Sequence, residues 1–338
     1  MILAGDIGGT KTLLALYDDS GVEKLYQQRY VSSAYSQFDL MLDDFLQTAG
    51  SHGDAAFTAA GFGIAGPITG AFGKQYVNAT NLPWKMDSAA LSARLNGAPV
   101  VFANDMVASG TAAITSAPAQ RISLNSPAAA SLQAQQDHIA VIAAGTGLGE
   151  ALFYSDGQRH HPIPTEGGHG SFAPNSALED RLLVYLRQRL GGHVSYERIL
   201  SGKGFLYLYE FARSEGLAEE SAEMAARLAG ANDPSAIITQ QACAGSDALS
   251  EIACRMFARI YGAEAGNLAL KSLPFGGLFV AGAIAGHILP FMQAEFMNGF
   301  LDKGRFAELL RRVPVWIVSD PELALQGAAL LSIDLRSA

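Results

Sequence analysis

Cysteine is nearly missing from this chain, with two thiols, Cys243 and Cys254, in 338 residues. Two are too few for a disulfide framework, and their Met-, Ala- and Leu-rich setting reads as buried core thiols in a reducing compartment. Charge is scarce as well: charged side chains make up 16% against 49% hydrophobic, with a net charge of −9. No block of Lys and Arg occurs, so the chain lacks the basic face that neutralises nucleic-acid phosphates, and nucleic acid is not expected as a partner. Long hydrophobic runs are absent too. "FGGLFVAGAIAGHILPFM", residues 275–292, has no acid or base but is broken by glycines, a His and a Pro. It reads as a strand, a tight Gly turn and a helix, not a membrane span. The start, "MILAGDIGG", has neither the basic opening nor the apolar core of a signal peptide, so a soluble cytoplasmic protein is expected. Two nucleotide motifs are missing. No G-x-x-x-x-G-K-[ST] is found, which excludes a P-loop enzyme. No G-x-G-x-x-G opens a helix after the first strand, which weighs against a dinucleotide fold.

What is present alternates. "MILAGDIGG", "TLLALYD", "AAGFGIAG" and "PVVFAND" are β-rich or small-residue runs that stop at Gly, Asp or Pro, and read as strands. "SQFDLMLDDFLQTAG" sets Phe38, Leu42, Phe45 and Ala49 on one helical face. "DSAALSARLNG" opens on a capping Asp87 and closes at Gly97. This order predicts an α/β layer around a largely parallel sheet. Residues 115–136 are rich in Ala, Ser, Pro and Gln and read as a connector. A second strand-rich unit follows, then a mostly helical stretch from 176 to 310. There "SALEDRLLVYLRQRLGG" carries a capping box, Ser176 with Glu179. Near the end, a strand runs into a helix expected to be capped by Asp320 with Pro321 at its first position. "GDIGGTKTLLALYDDSG" and "AAGTGLGEALFYSDG" share one plan of strand, Gly/Thr turn, apolar strand and acidic turn, which suggests two halves of a duplicated architecture.

Each half thus offers a glycine turn. In "DIGGTK", Gly8 and Gly9 let backbone N–H groups approach phosphate oxygens, while Thr10 adds a hydroxyl and Lys11 a cation. Asp6 supplies a carboxylate able to hold Mg²⁺, directly or through water. Gly145, Thr146 and Gly147 form a second, uncharged turn. Each turn alone is equally well an ordinary β-hairpin.

A polar set lies in other turn-like contexts. "VVFAND" aims Asn104 and Asp105 from a strand end, where the bland reading is a helix cap. "NATNLPW" carries Asn81 and Trp84, "AGPITG" bends at Gly66 and Pro67, "TEGGHG" presents Glu166 and His169, and "HVSYERILSG" holds Glu197 near a helix start. Glu166 with His169 is otherwise a loop ion pair, and Glu197 an acid suited to a first helical turn. A metal site of His160, His161, Glu166 and His169 is disfavoured by the intervening prolines and the lack of a Cys ligand. Asn104, Asp105, Glu166, His169 and Glu197 are acceptors and mixed donor–acceptors with little positive charge. They suit a neutral polyol, whereas a phosphate or carboxylate substrate would call for Arg or Lys forks.

"GDIGGTK", "FANDMVA", "AAGTGLG", "EGGHGSFAPNS", "HVSYERILSG", "GNLAL" with "FGGLFVAG", "DKGRF" and "QGAALL" stand in an order that resembles bacterial ATP-dependent glucokinases, of the hexokinase–actin–chaperone ATPase superfamily. The resemblance implies an α/β, two-domain actin-like ATPase (ribonuclease-H-like) fold with an inter-domain cleft. Residues 1–112 plus 318–338 would form the small domain, and 113–317 a large domain with a mostly helical second half. It implies glucose and ATP as substrates with Mg²⁺, Asp105 as general base, and Asn81, Asn104, Glu166, His169 and Glu197 on the sugar hydroxyls. The glycine turns would hold phosphates, and Gly276 and Gly277 of "FGGLFVAG" would border the adenosine. A homodimer is the expected assembly. Three departures stand out. Lys11 takes a place where these glucokinases commonly have Asn, as in the related repressor-and-kinase sugar family, whose Cys-rich zinc motif is absent here. Ala283 replaces a second Gly of the adenosine turn, and Gly170–Ser171 a bulkier pair. The rival expectations are a kinase with another hexose or donor, a sugar-sensing regulator without catalysis, and an ATPase acting on protein partners.

Overall fold

The computed structural model describes residues 1–50, 56–71, 73–80, 82–125 and 136–333. The chain divides into two compact units, residues 1–116 with 321–338, and residues 117–320. The first boundary falls a few residues beyond the expected one because the helix opened by Asp105 runs on to Thr115.

The first unit holds β1 (Ile2–Ile7), β2 (Lys11–Tyr17), β3 (Lys24–Val31), β4 (Ala59–Ile64), the short β5 (Ile68–Thr69), β6 (Tyr76–Asn78) and β7 (Lys85–Asp87), and β8 (Val100–Asn104). Its main sheet runs β3-β2-β1-β4-β8. β1 pairs antiparallel with β2, but parallel with β4, and β4 parallel with β8. Side chains alternate between faces, as the period of two requires. Leu3, Ile7, Phe62 and Phe102 pack with Met41, Leu42 and Phe45 of α1 (Phe38–Ala49). Ile2, Ala4, Leu13 and Ala15 pack on Leu325, Ala328 and Ala329 of the C-terminal helix, Leu323–Ile333. α2 (Ser88–Arg94) starts as expected, with Asp87 accepting from the N–H groups of Ala89 and Ala90.

On the second face, backbones approach closely. A Cβ on Gly61 would lie 1.9 Å from the carbonyl oxygen of Ala328, and one on Gly327 would lie 1.7 Å from that of Ala108. Only glycine permits α3 (Asp105–Thr115) and the C-terminal helix to lie this close. The C-terminal helix begins later than its Asp320–Pro321 signal: Gln326 N–H donates to Glu322 O at 3.0 Å, and helical residues start at Leu323.

The second unit repeats the sheet plan. β9 (Ile122–Ser123), β10 (Ile139–Ala144), β11 (Leu148–Ser155), β12 (His160–Thr165), β13 (Gly277–Ala281) and β14 (Val315–Val318) form a sheet ordered β12-β11-β10-β13-β14-β9. β10 again pairs antiparallel with the following strand and parallel with β13, and β13 parallel with β14. Its helices include α4 (Ala177–Leu190), α5 (Tyr196–Ile199), α6 (Gly202–Ser214), α7 (Ala222–Ala229), α8 (Pro234–Cys243), α9 (Ala248–Ser272) and α10 (Ala283–His287). α9 is the central one, burying Ala253, Phe257, Tyr261 and Ala265, with Phe205 stacked on Phe257 at 4.2 Å. The capping box on α4 is half formed: Ser176 Oγ accepts from Glu179 N–H, while the Glu179 carboxylate takes Asn175 N–H instead of its own cap. Of the two thiols Cys254 is buried, but Cys243, at the end of α8, is exposed. Among the described residues no helix is long and apolar enough to cross a membrane.

Candidate active site

In the first unit the parallel strands β1, β4 and β8 end together: Ile7 is opposite Ile64, and Ile64 opposite Asn104. Ligands of open α/β sheets gather at such carboxyl ends. Asn104 is the N-cap of α3, its Oδ1 accepting from Met106 N–H at 2.9 Å, and Asp105 is the first helical residue, its Oδ1 sharing the same N–H at 2.9 Å. Capping is thus the work of Asn104, and Asp105 follows it.

Asp6 sits near the end of β1, on the face covered by the C-terminal helix. Burial there pushes its carboxyl up to about 6; the Lys11 charge opposes this and the Asp105 charge adds to it. Asp6 and Asp105 therefore feel each other's field. The turn joining β1 to β2 is a hairpin in which Gly8 N–H donates to Lys11 O at 3.0 Å. Gly8 and Gly9 are half-buried, and Thr10 and Lys11 exposed. Ser32 braces it, donating from Oγ to Gly8 O at 2.7 Å and lying 3.0 Å from the buried Thr12 hydroxyl. Nothing in the local pattern of Ser32 marks it in the sequence, since its partners lie 20 and 24 positions upstream. Trp84 is a core residue, its Nε1–H donating to Tyr35 O at 3.0 Å. Asn81 lies outside the described residues.

In the second unit Glu166, His169 and Glu197 come together. His169 Nε2 lies 3.8 Å from Glu166 Oε2, and its Nδ1 lies 3.8 Å from Glu197 Oε1. Glu166 and His169 are exposed, and Glu197 is 28% exposed. The Gly167–Gly168 pair makes this turn possible. A Cβ on Gly167 would lie 2.0 Å from Glu150 Oε2, and one on Gly168 would lie 2.0 Å from Leu148 O, so the turn lies directly on β11. Tyr196 N–H donates to Gly170 O and Phe172 N–H to Val194 O, which fixes α5 and Glu197 beside the turn. His160 and His161 lie near the other end of β12, bonded to Asp137 O and the Asp156 carboxylate.

Glu197 also reaches the glycine turn joining β10 to β11. Its Oε2 accepts from Leu148 N–H at 3.2 Å and would lie 2.4 Å from any Cβ on Gly147. Gly145 N–H donates to Gly147 O, Gly202 N–H to Gly145 O, and Ala144 N–H to the buried Tyr261 hydroxyl. Gly145 and Thr146 line a pocket of about 1100 Å³, with Lys203, Asp233, Cys243 and His287 among its other walls.

Gly276 and Gly277 are not brought to this pocket. Gly277 opens β13 opposite Ile139, at the far end of the sheet from Gly145. Its φ of +130° and the Trp316 ring, 2.2 Å from where a Cβ would stand, explain the glycine there. The glycine near the pocket is Gly282, with φ +89°, at the opposite end of β13. The motif was legible, but its two glycine groups look alike without the register of the strand.

The chain as a whole is similar to known proteins. The glucokinase family profile matches residues 3–334. A curated glucokinase of Nostoc sp. strain PCC 7120 is 39% identical, with 99% of each chain covered. The structure of a glucokinase from an Antarctic psychrotroph superposes with a TM-score of 0.78 at 27% identity, over 98% of both chains. A ROK family glucokinase from Streptomyces griseus, solved with glucose and AMPPNP, shares the fold at a TM-score of 0.66 and 22% identity, over 98% of this chain and 99% of its own. The two-domain actin-like ATPase fold is common to them. With its profile matched almost end to end, the chain belongs to the glucokinase family.

Proposed function

We propose that this chain phosphorylates glucose with ATP at the 6-hydroxyl, and that the residues above divide the work as follows. The observation that carries the reading is the contact of Glu197 with Gly147, which sets a hydroxyl-binding carboxylate against a phosphate-binding turn. Glu166, His169 and Glu197 accept from and donate to the sugar hydroxyls. Asn104 has its Oδ1 engaged by Met106 N–H and offers its amide NH₂ to a further hydroxyl. Asn81 is proposed for the same ring.

Asp105 acts as general base. The 6-hydroxyl becomes acidic only as its oxygen bonds to the γ-phosphorus and the bond to the departing ADP oxygen breaks, so a positioned carboxylate takes the proton late in transfer. Gly8, Gly9, Thr10 and Lys11 in one unit, and Gly145, Thr146 and Gly147 in the other, hold the phosphates through N–H groups, a hydroxyl and an ammonium. The adenosine occupies the pocket of about 1100 Å³, whose wall includes Ile284 just after Gly282, so that Gly282 takes the place expected of Gly276 and Gly277.

Asp6 suits Mg²⁺, directly or through water. Its oxygens are hard donors, and the raised proton affinity that burial and Asp105 impose marks a place where added positive charge is favourable. When bound, the ion neutralises phosphate charge. A cytoplasmic homodimer is proposed as the working form, and sedimentation velocity checks its mass.

A coupled assay for ADP release with and without glucose tests the reading. A kinase needs the sugar. Release that ignores sugar would make the chain an ATPase, and no release with retained sugar binding would make it a regulator. Asp105→Asn should keep glucose binding and lower kcat by roughly 10²–10⁴-fold.

A further inference from the structure

Beneath the Glu166–His169 turn lies a second pair of acids with no place in the chemistry just described. Glu150 on β11 and Glu264 on α9 are each 2% exposed. Glu150 Oε2 abuts Gly167, and Glu150 O accepts from the Thr165 hydroxyl, which in turn accepts from Gly167 N–H. Glu150 Oε1 is buried without a donor among the described residues. The neighbouring Glu264 carboxyl can satisfy it only when one of the two acids carries a proton. From Glu264 the chain of bonds continues. Asn267 Nδ2 donates to Glu264 Oε2 at 2.8 Å and lies 3.1 Å from the Tyr196 hydroxyl. Tyr196 is adjacent to Glu197, and its N–H holds Gly170 O.

We propose that Glu150 and Glu264 share one proton and act as positioning residues for glucose, fastening the Glu166–His169 turn to β11 and, through Asn267 and Tyr196, Glu197 to α9. The inference rests on the glucokinase reading and adds to it a pH-dependent support for sugar recognition. Two adjacent buried carboxylates cannot both ionise cheaply, so loss of the shared proton drives the acids apart and loosens the turn lying on them.

Other ionisable groups face the pair. Lys271 on α9 favours its ionised form. Lys303 donates to Asn267 Oδ1 at 2.7 Å, and its ammonium, flanked by Glu264, Asp302 and Glu179, releases its proton more readily than usual because it is buried. The phenols of Tyr196 and Tyr261 are raised by burial and do not titrate in the useful range. For Glu150 burial is the main cause, with Glu264 adding to it, and together they push the carboxyl up to about 8.

The test follows glucose KM and kcat from pH 6.5 to 9.5 at saturating ATP, in the wild type and in Glu150→Gln. A Gln amide donates to Glu264 as the protonated acid does, and cannot lose that proton near neutrality. Wild-type KM should rise roughly tenfold from pH 7 to pH 9 with kcat within about twofold, while Glu150→Gln stays flat. A protonated-carboxyl infrared band present in the wild type at pH 7 should be lost in the variant. A flat wild-type KM overturns the proposal. So does the same rise in both proteins, which would give the limb to Lys303 or Lys271. Should the variant fail to fold, the wild-type profile and its infrared band still decide. If the kinase reading itself is wrong, ADP release at pH 7 will not depend on glucose at all, an outcome distinct from any of these.

Discussion

At Gly147 one missing methyl group lets a carboxylate proposed for the sugar lie against a turn proposed for the phosphates. A Cβ on Gly147 would lie 2.4 Å from Glu197 Oε2, so any larger residue pushes that carboxylate from Leu148 N–H. Gly147→Ala is expected to raise glucose KM by about tenfold with a smaller change in stability, and steady-state kinetics beside a melting curve would separate the two. An unchanged KM would detach Glu197 from the sugar. Asp6 poses the opposite problem, an acid held where burial penalises its charge. Unfolded, it loses its proton near 3.8, and folded near 6. The folded chain thus binds the proton more tightly over that window, and stability declines as pH rises through it. At pH 7.5 the full penalty stands, so Asp6→Asn should melt a few degrees higher than the wild type while losing most activity, and at pH 3.5 the melting difference should close. Wild-type kcat/KM should fall below about pH 6 as Asp6 takes up its proton. A variant less stable at pH 7.5 would mean that the ionised carboxylate is satisfied by its neighbours.

Elements were legible wherever sequence punctuation and tertiary structure agree. β1, β4, β8 and β10 end at their Gly or Asn signals, and α2 starts on Asp87, because buried strands and capped helices leave composition marks a few residues long. The cluster of Glu166, His169 and Glu197, proposed here for the sugar hydroxyls, left marks of the same kind: each residue sits in a Gly-rich or helix-start context. What could not be read were relations spanning the chain. Ser32 under the first glycine turn, Glu264 beside Glu150 and the location of Gly277 depend on partners many positions away. Cys243 looked like core because its helix is apolar, yet it ends α8 at the pocket wall. The approach of α3 to the C-terminal helix is another such relation. With Ala108 O only 1.7 Å from a Cβ on Gly327, the helix pair cannot accept one without moving apart. Gly327→Ala should therefore cost about 1–3 kcal/mol by overpacking, and should lower kcat more than it raises glucose KM, because α3 begins with Asp105. Thermal melts and kinetics on the same preparation test this. A loss of stability with untouched kcat would show that the start of α3 is fixed by β8 and not by its neighbour helix.

At the scale of the whole chain, one sheet plan is used twice with different cores. One is split around residues 117–320, and the other is continuous and dominated by α9. Each unit has its own buried core, so two unfolding transitions are expected in calorimetry without ligand. Residues of both units are proposed for one sugar: Asn104 and Asp105 from the first, Glu166, His169 and Glu197 from the second. A ligand held by native residues raises the stability of what holds it by RT ln(1 + [L]/Kd), or about 2.7 kcal/mol at a hundredfold excess over Kd. Saturating glucose should then move both transitions upward, by a few degrees each, or merge them. Glu197→Gln should reduce the shift in both, because one ligand is proposed for both sets of residues. An upward move in only one transition would assign glucose recognition to that unit alone and take the other unit's residues out of the site. Unit 1 moving alone would remove Glu166, His169 and Glu197, together with the role proposed for Glu150 and Glu264, while unit 2 moving alone would remove Asp105 as the base.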